Sequence, residues 1–483
     1  MPILLLVIFC LLLGLDSTPL WDQDEAAYAG FAHQMVATGD WRMPAFAWSE
    51  VHRKPPLHFW LIAAASELLG ERLLTVRLPG ALSVLGCGAL IARWGAGVFG
   101  ATVSRRAGLM LLTSLAMVVG KIGLTDGPLL LAQTAAALAL LNHLKTPQLR
   151  WCLALWGASA AALLIKGPPV LILIGGMGGL LLLLHPDRKR LLLPLLGMPL
   201  AAIPLVAWGW WAWGADGGES IRWMLDFYIL DRASGGTALG QTGPPGFYLL
   251  TMLLLLFPWG WRLPGALLGM ASARGPEAMI LASWMAAGWW FYELIPSKLP
   301  AYALGAYPAI VLAMAQFEGP RWANRLGGGL TALIGAGLSA GLIGLAVTAG
   351  AATIAVPGIV LAVLGVVAWR RPPIRAVLAP ITLALIWLAA LPALRPELFL
   401  TADVAAVAIE TGHPVVIAEN YRLPSLPYYL SAAGVDWRME DGVPPEGETL
   451  ITTDLTEPPV DAVALDGLIP DKGRPVRFWV VPP

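Results

Sequence analysis

Apolar residues run along this chain in long, nearly unbroken stretches, and polar residues are confined to the short intervals between them. Stretches of about twenty apolar residues cross a bilayer as helices. The pattern predicts about thirteen spans, each near the length a bilayer requires. They lie at 2–15, 76–94, 107–122, 128–144, 151–165, 168–184, 191–213, 247–263, 278–295, 300–316, 327–349, 353–369 and 376–394. Residues 56–70 also read as a half-span, set inside the first long polar interval.

After residue 395 the pattern changes. Residues 400–411 have helical periodicity, and strand-like runs follow at Val415–Ala418, Thr449–Thr452 and Arg477–Val480. Mixed signals of this kind in so short a tail predict a small α/β domain. The expected architecture is an all-α polytopic membrane domain over 1–395, with juxtamembrane helices in its first outer loop. A soluble α/β domain over 396–483 follows it.

Composition agrees with a membrane protein. Hydrophobic residues are 57% of the 483, charged residues 13%, and mean hydropathy is +0.70. A soluble chain of this size needs far more charge to cover its surface. The net charge of zero offers no basic face, so nucleic acid is not an expected partner. Cys10, Cys87 and Cys152 lie in apolar runs without metal-ligand spacing and read as small core residues. Residues 2–15 lack a basic leader and a small-residue cleavage site, which predicts an uncleaved first span.

Charge separates the loops into two groups. Alternate loops collect Arg93, Arg105, Arg106, Lys145, Arg150, Arg188, Lys189, Arg190, Arg262, Arg274, Arg321, Arg325, Arg370, Arg371 and Arg375. The positive-inside rule makes that face cytoplasmic, with the N-terminus on it and the C-terminal tail opposite. The other loops, 16–75, 121–127, the turn at Lys166, 214–246 and 296–299, carry the unusual chemistry. The expected active face is the outer one.

Each candidate there has a plain reading beside a functional one. Asp22 and Glu25 fit a capping box at a helix start, whereas Asp24 does not. Asp24 and Tyr28, four residues apart, share a helix face. Lys54 is fixed by Pro55-Pro56 in an extended approach; it either snorkels to the interface or meets a phosphate. His52 and Arg53 fit either reading. Asp126, followed closely by Pro128, either caps a helix or forms a second acidic wall. Lys166-Gly167-Pro168 is a turn or a second phosphate-facing cation. Lys298 sits in a short turn between apolar helices, where an anionic partner would offset its burial, with Tyr302 beside it. The loop 214–246 contains Arg222 and Arg232 and is Gly-rich enough to close over a donor.

Taken in order, these pieces resemble the polytopic GT-C glycosyltransferases, and among them the aminoarabinose-transferase-like and protein-mannosyltransferase-like enzymes. The resemblance runs from Leu20-Trp21 with Asp24-Glu25 and Tyr28-Ala29, through Thr38-Gly39-Asp40-Trp41, to Lys54-Pro55-Pro56-Leu57 with Trp60. It continues through Asp126, Lys166-Gly167, Pro244-Pro245 with Phe247-Tyr248 and Pro258-Trp259, and closes at Ser297-Lys298-Leu299-Pro300 with Tyr302. It implies an inverting transfer of sugar from a polyprenyl-phosphate carrier to a lipid A, glycan or protein acceptor at the periplasmic face of a bacterial inner membrane. By the same resemblance Asp24 is the lead catalytic acid, supported by Asp126 and Glu25. Lys54, Lys298 and Tyr302 would bind the lipid phosphate, and Tyr28, Lys166, Arg222 and Arg232 are further substrate-binding candidates.

The chain departs from the aminoarabinose transferases at three places. Ala27 stands where they usually have arginine, and Arg53 where they have an acid. Near Tyr228-Ile229 an expected histidine is replaced. The missing acid and histidine are a plausible metal pair in relatives, so no cofactor is expected; a divalent metal stays open, without evident ligands. The competing class is a transporter or lipid-linked sugar flippase, whose polar groups would lie at the bilayer midplane. A third is a glycan polymerase or ligase, which would release a diphosphate carrier.

Overall fold

The structure is a computed structural model of all 483 residues. It describes every residue except 1, 48, 50–51, 227–241, 419–421, 441–446, 454, 456–457 and 470–473. Arg232, Tyr228 and Ile229 therefore lie outside the described residues.

The chain is mostly helical up to residue 410 and ends in a small sheet. Among the described residues six helical segments are long and apolar enough to cross a membrane: Leu73–Phe99, Asp126–Lys145, Leu149–Lys166, Arg188–Asp216, Arg321–Thr348 and Pro372–Ala393. Shorter apolar helices lie at Pro2–Leu12, Leu57–Leu69, Pro169–Leu184 and Ala352–Ala368. Protein covers only 11% of the apolar stretch in Arg321–Thr348. An apolar helix left so bare is stable only where lipid covers the rest.

Several expected spans are broken rather than continuous. The run 107–122 is the end of a helix Ala101–Leu112 followed by a 3-10 turn Leu115–Gly120. The run 247–263 is a helix Phe247–Leu255 that stops before Pro258, and a new helix starts at Leu263. The run 300–316 opens as a 3-10 turn after Pro300 and becomes α-helical at Tyr307. Proline removes a backbone donor and clashes with the preceding turn, which accounts for the breaks at Pro258 and Pro300; the run 107–122 contains no proline. The run 278–295 stays helical to Glu293 and carries a π-turn at Ala286–Trp290.

The main core gathers around Asp126–Lys145, whose residues Ala136–Leu141 are fully buried. Trp284 is wholly enclosed there and donates its indole N–H to the Gly305 carbonyl at 2.8 Å. The first polar interval folds into the helix Asp24–Thr38 and the helix Leu57–Leu69, which pack together through Phe31, Phe59 and Ile62. Gly39, at φ 69°, ends the first of these in the left-handed conformation that glycine adopts without strain.

The sheet has strands β1 (Val415–Ala418), β2 (Trp437–Met439), β3 (Thr449–Thr452), β4 (Val463–Ile469) and β5 (Arg474–Val481), ordered β2-β1-β3-β5-β4. β1 runs parallel to β2 and β3, while β5 is antiparallel to β3 and β4. The helices Leu400–Glu410 and Ser425–Ala432 close one core with it through Val404, Leu426, Ile417 and Phe478.

Candidate functional site

The helix Asp24–Thr38 brings Asp24 and Tyr28 to one face, as their spacing requires. Lys54 arrives opposite them on the Pro55-Pro56 approach, and its ammonium donates to the Tyr28 hydroxyl at 2.5 Å. It lies 3.7 Å from the Asp24 carboxylate. His52 shares a hydrogen bond of 2.7 Å between its Nδ1 and Asp24. The Asp24 side chain is 49% exposed. Partial burial would raise its carboxyl pKa, but the Lys54 charge and the His52 bond outweigh that and hold it well below the usual carboxylate range.

A second acid–lysine pair stands nearby. Asp126 is the first residue of its helix and Lys166 the last of another, and they meet at 2.6 Å. Each charge also suits the helix dipole at its own end. The Lys166 charge acts on Asp24 as well. Asp24, Lys54, Asp126 and Lys166 thus form one electrostatic neighbourhood of alternating sign.

Glu25 sits elsewhere. Its side chain is 0% exposed and pairs at two points with Arg77, at 2.8 and 2.9 Å. The same carboxylate accepts the backbone N–H of Trp21 at 2.9 Å and of Gly123 at 2.5 Å. Expected as a catalytic acid, Glu25 is instead enclosed in a bonded lattice, out of contact with solvent. The capping box fails too: the N-cap is Gln23 with no side-chain cap bond, and Asp22 reaches Thr401 and Ser425 instead.

The lattice also fixes the turn that leads into Asp126. Gly123, three residues before it, gives its N–H to Glu25 and its carbonyl to His58 Nε2 at 3.0 Å. A Cβ on Gly123 would lie 2.7 Å from Val76 Cγ1 and 3.2 Å from Glu25 Oε1, so only glycine fits this approach.

Lys298 is buried at 5% exposure and donates to the carbonyls of Tyr292 and Glu293 at 3.2 and 2.9 Å. The Glu293 carboxylate accepts N–H groups from Gly246 and Tyr248, and so ties the start of the helix Phe247–Leu255 to this turn. Tyr302 packs on Tyr292 at 5.9 Å. Arg222 is exposed, with its guanidinium 4.6 Å from the centre of the Trp213 ring, and forms no described bond to Asp24 or Asp126.

Sequence reasoning passed over Arg77, His58 and Glu293. Arg77 was legible as a charge within an apolar run, which is costly and needs a partner. His58 and Glu293 follow and precede the two lysine motifs, but nothing in their spacing marks them. Among the described residues no three His, Cys, Asp or Glu side chains converge as metal ligands.

Comparison with known proteins bears on the family. The pattern of the dolichyl-phosphate-mannose-protein mannosyltransferase family matches residues 53–213. An undecaprenyl phosphate-alpha-4-amino-4-deoxy-L-arabinose arabinosyl transferase of Pectobacterium carotovorum is 30% identical over 64% of this chain and 58% of its own length. The corresponding protein of Pectobacterium atrosepticum is 28% identical over 70% of this chain and 65% of its own. The chain thus spans less than two thirds of these relatives. The crystal structure of ArnT from Cupriavidus metallidurans bound to undecaprenyl phosphate superposes with a TM-score of 0.73 and 21% identity, over 99% of this chain and 96% of that one. The apo structure gives 0.72. The chain is thus similar in sequence to these arabinosyl transferases over about two thirds of its length, and it shares the fold of the ArnT structures over nearly all of it.

Proposed function

We propose that the protein is an inverting glycosyltransferase that moves a sugar from a polyprenyl-phosphate carrier to an acceptor hydroxyl. The carrying observation is the neighbourhood of two carboxylates and two lysines, Asp24 with Lys54 and Asp126 with Lys166, all at or just before helix ends, Asp126 opening one apolar helix and Lys166 closing another. A half-exposed carboxylate kept ionised accepts the acceptor's proton as its oxygen bonds to the anomeric carbon. The bond from that carbon to the phosphate oxygen breaks, and the carrier leaves as its monophosphate. Lys54 and Lys166 stabilise the negative charge growing on the leaving phosphate. Tyr302 and Lys298 are its further contacts on this reading.

On this reading the chain divides near residue 395, the bundle has about thirteen crossings, several too short to span alone, and the site opens to the periplasmic side of a bacterial inner membrane. The names of the relatives bear on the donor, an undecaprenyl-phosphate-linked aminoarabinose, and lipid A is one acceptor class open to this reading. Glycan and protein acceptors are the other classes. The neighbourhood's place at helix ends, not midway along them, favours transfer over transport.

The test is reconstitution in liposomes with labelled polyprenyl-phosphate sugars and candidate acceptors, comparing wild type with Asp24→Asn. Transfer by the wild type that is lost in a folded variant supports the reading. Movement of the labelled lipid between leaflets without transfer replaces it with the flippase. Release of a diphosphate carrier replaces it with a polymerase or ligase.

A further inference from the structure

Asp22 stands two residues before Asp24 and points the other way. Its carboxylate accepts the Ser425 backbone N–H at 2.9 Å, the Ser425 hydroxyl, and the Thr401 hydroxyl at 3.1 Å. Ser425 opens the helix Ser425–Ala432, so Asp22 caps a helix 403 residues away in sequence. Next to it, Leu20 donates its N–H to the hydroxyl of the half-buried Tyr429 at 2.7 Å. Trp21 meets Phe399 edge-on, with ring centroids 4.8 Å apart. Three consecutive residues, Leu20 to Asp22, are therefore gripped by the segment 399–429 immediately before the helix that presents Asp24.

We infer that the C-terminal sheet domain is a working part of the site: it fixes the start of the Asp24 helix, and Asp22 is the positioning residue through which it does so. This rests on the transferase reading, and it assigns the domain a role at the chemistry rather than in acceptor choice alone. His52 lies 2.7 Å and Lys54 3.7 Å from the Asp24 carboxylate, and the Lys166 charge also acts on it. A carboxylate placed among three such groups depends on where its helix begins. Errors of about 1 Å in a catalytic group can cost as much as a hundredfold in rate.

The experiment compares wild type with Asp22→Asn and, separately, with the pair Thr401→Val and Ser425→Ala, all full length in liposomes. Both variants should lose roughly tenfold or more in kcat, while affinity for polyprenyl phosphate stays within about twofold. The acid limb of kcat should move up in pH, because Asp24 loses part of its contact with Lys54 and His52. Hydrogen exchange across residues 20–28, read on the same samples, should rise. A lower melting temperature with unchanged kcat per folded molecule would overturn the inference, as would unchanged exchange. If the wild type itself transfers nothing, the transferase reading falls, while the exchange measurement still decides whether the domain holds this segment.

Discussion

The Glu25 carboxylate and the Arg77 guanidinium meet in a two-point ion pair, neither side chain having any exposure to solvent. Arg77 spends its remaining donors on the carbonyls of Leu15, Thr18 and Pro19, at 2.7, 2.9 and 2.7 Å. One guanidinium from a membrane helix therefore sets the path of the chain just before the Asp24 helix. Removing one partner of a buried pair strands the other charge and costs about 3–5 kcal/mol. Arg77→Met should destabilise the protein by that order in a denaturation titration. Adding Glu25→Gln to it should cost less than the sum of the two single changes.

Asp24→Asn keeps size and can keep its contact with His52 while removing the base. Transfer should fall by about 10²–10⁴. Binding of polyprenyl phosphate, measured by fluorescence competition, should hardly change. Equal activity in a folded variant would move the catalytic role to Asp126.

Lys54→Met addresses the pH profile. Partial burial pushes the Asp24 carboxyl up, and Lys54 and His52 more than reverse this, so in the wild type Asp24 stays ionised to lower pH than an ordinary carboxylate. The acid limb of kcat should accordingly lie below the usual carboxylate range. Without Lys54 it should move upward, leaving less active enzyme at mildly acidic pH. A limb that does not move would mean that Asp24 is not the titrating group.

Lys166→Gln removes the partner of Asp126 and a charge that also acts on Asp24. A charge-assisted hydrogen bond of this kind contributes about 1.5–3 kcal/mol. Donor affinity should fall by roughly ten- to a hundredfold, and added salt should change the variant's affinity less than the wild type's. Unchanged donor affinity would confine Lys166 to holding Asp126.

Gly123→Ala places a methyl against Val76 and the Glu25 carboxylate, where 2.7 Å is closer than atoms approach. Overpacking of this type costs about 1–3 kcal/mol. The turn carrying Asp126 should shift with it. Activity should drop together with stability, and alanine at Gly157, where nothing lies within 4 Å of the added Cβ, should leave both unchanged.

Much of the site was legible because its residues break the rule of their surroundings. Lys54, Asp126, Lys166 and Lys298 are charges at the ends of apolar runs, and such charges need a partner wherever they lie. What spacing could not give was the pairing. Asp126 and Lys166 are 40 residues apart, and Lys54 and Tyr28 are 26 apart. Glu25 shows the converse error: its neighbour Asp24 faces solvent, and one step along a helix, about a hundred degrees, turns Glu25 inward to Arg77. Arg222 fell outside the cluster because its short helix, Glu219–Leu225, turns it to the surface beside Trp213.

By itself the sequence determined that the chain belongs in a membrane, since apolar runs of that length have no other favourable solvent. It also determined that a small mixed α/β unit follows, because strand periodicity of two replaces helical periodicity there. The tertiary structure decided which apolar runs are single helices: Pro258 and Pro300 end or delay a helix, whereas Pro79 and Pro380 lie inside one, and hydropathy does not tell these cases apart. It also decided which acid faces the opening and which is locked inside, and that Asp22 belongs to the last domain rather than to its own helix. Those outcomes depend on contacts between distant segments, and a partner 403 residues away leaves no mark on the residues beside it.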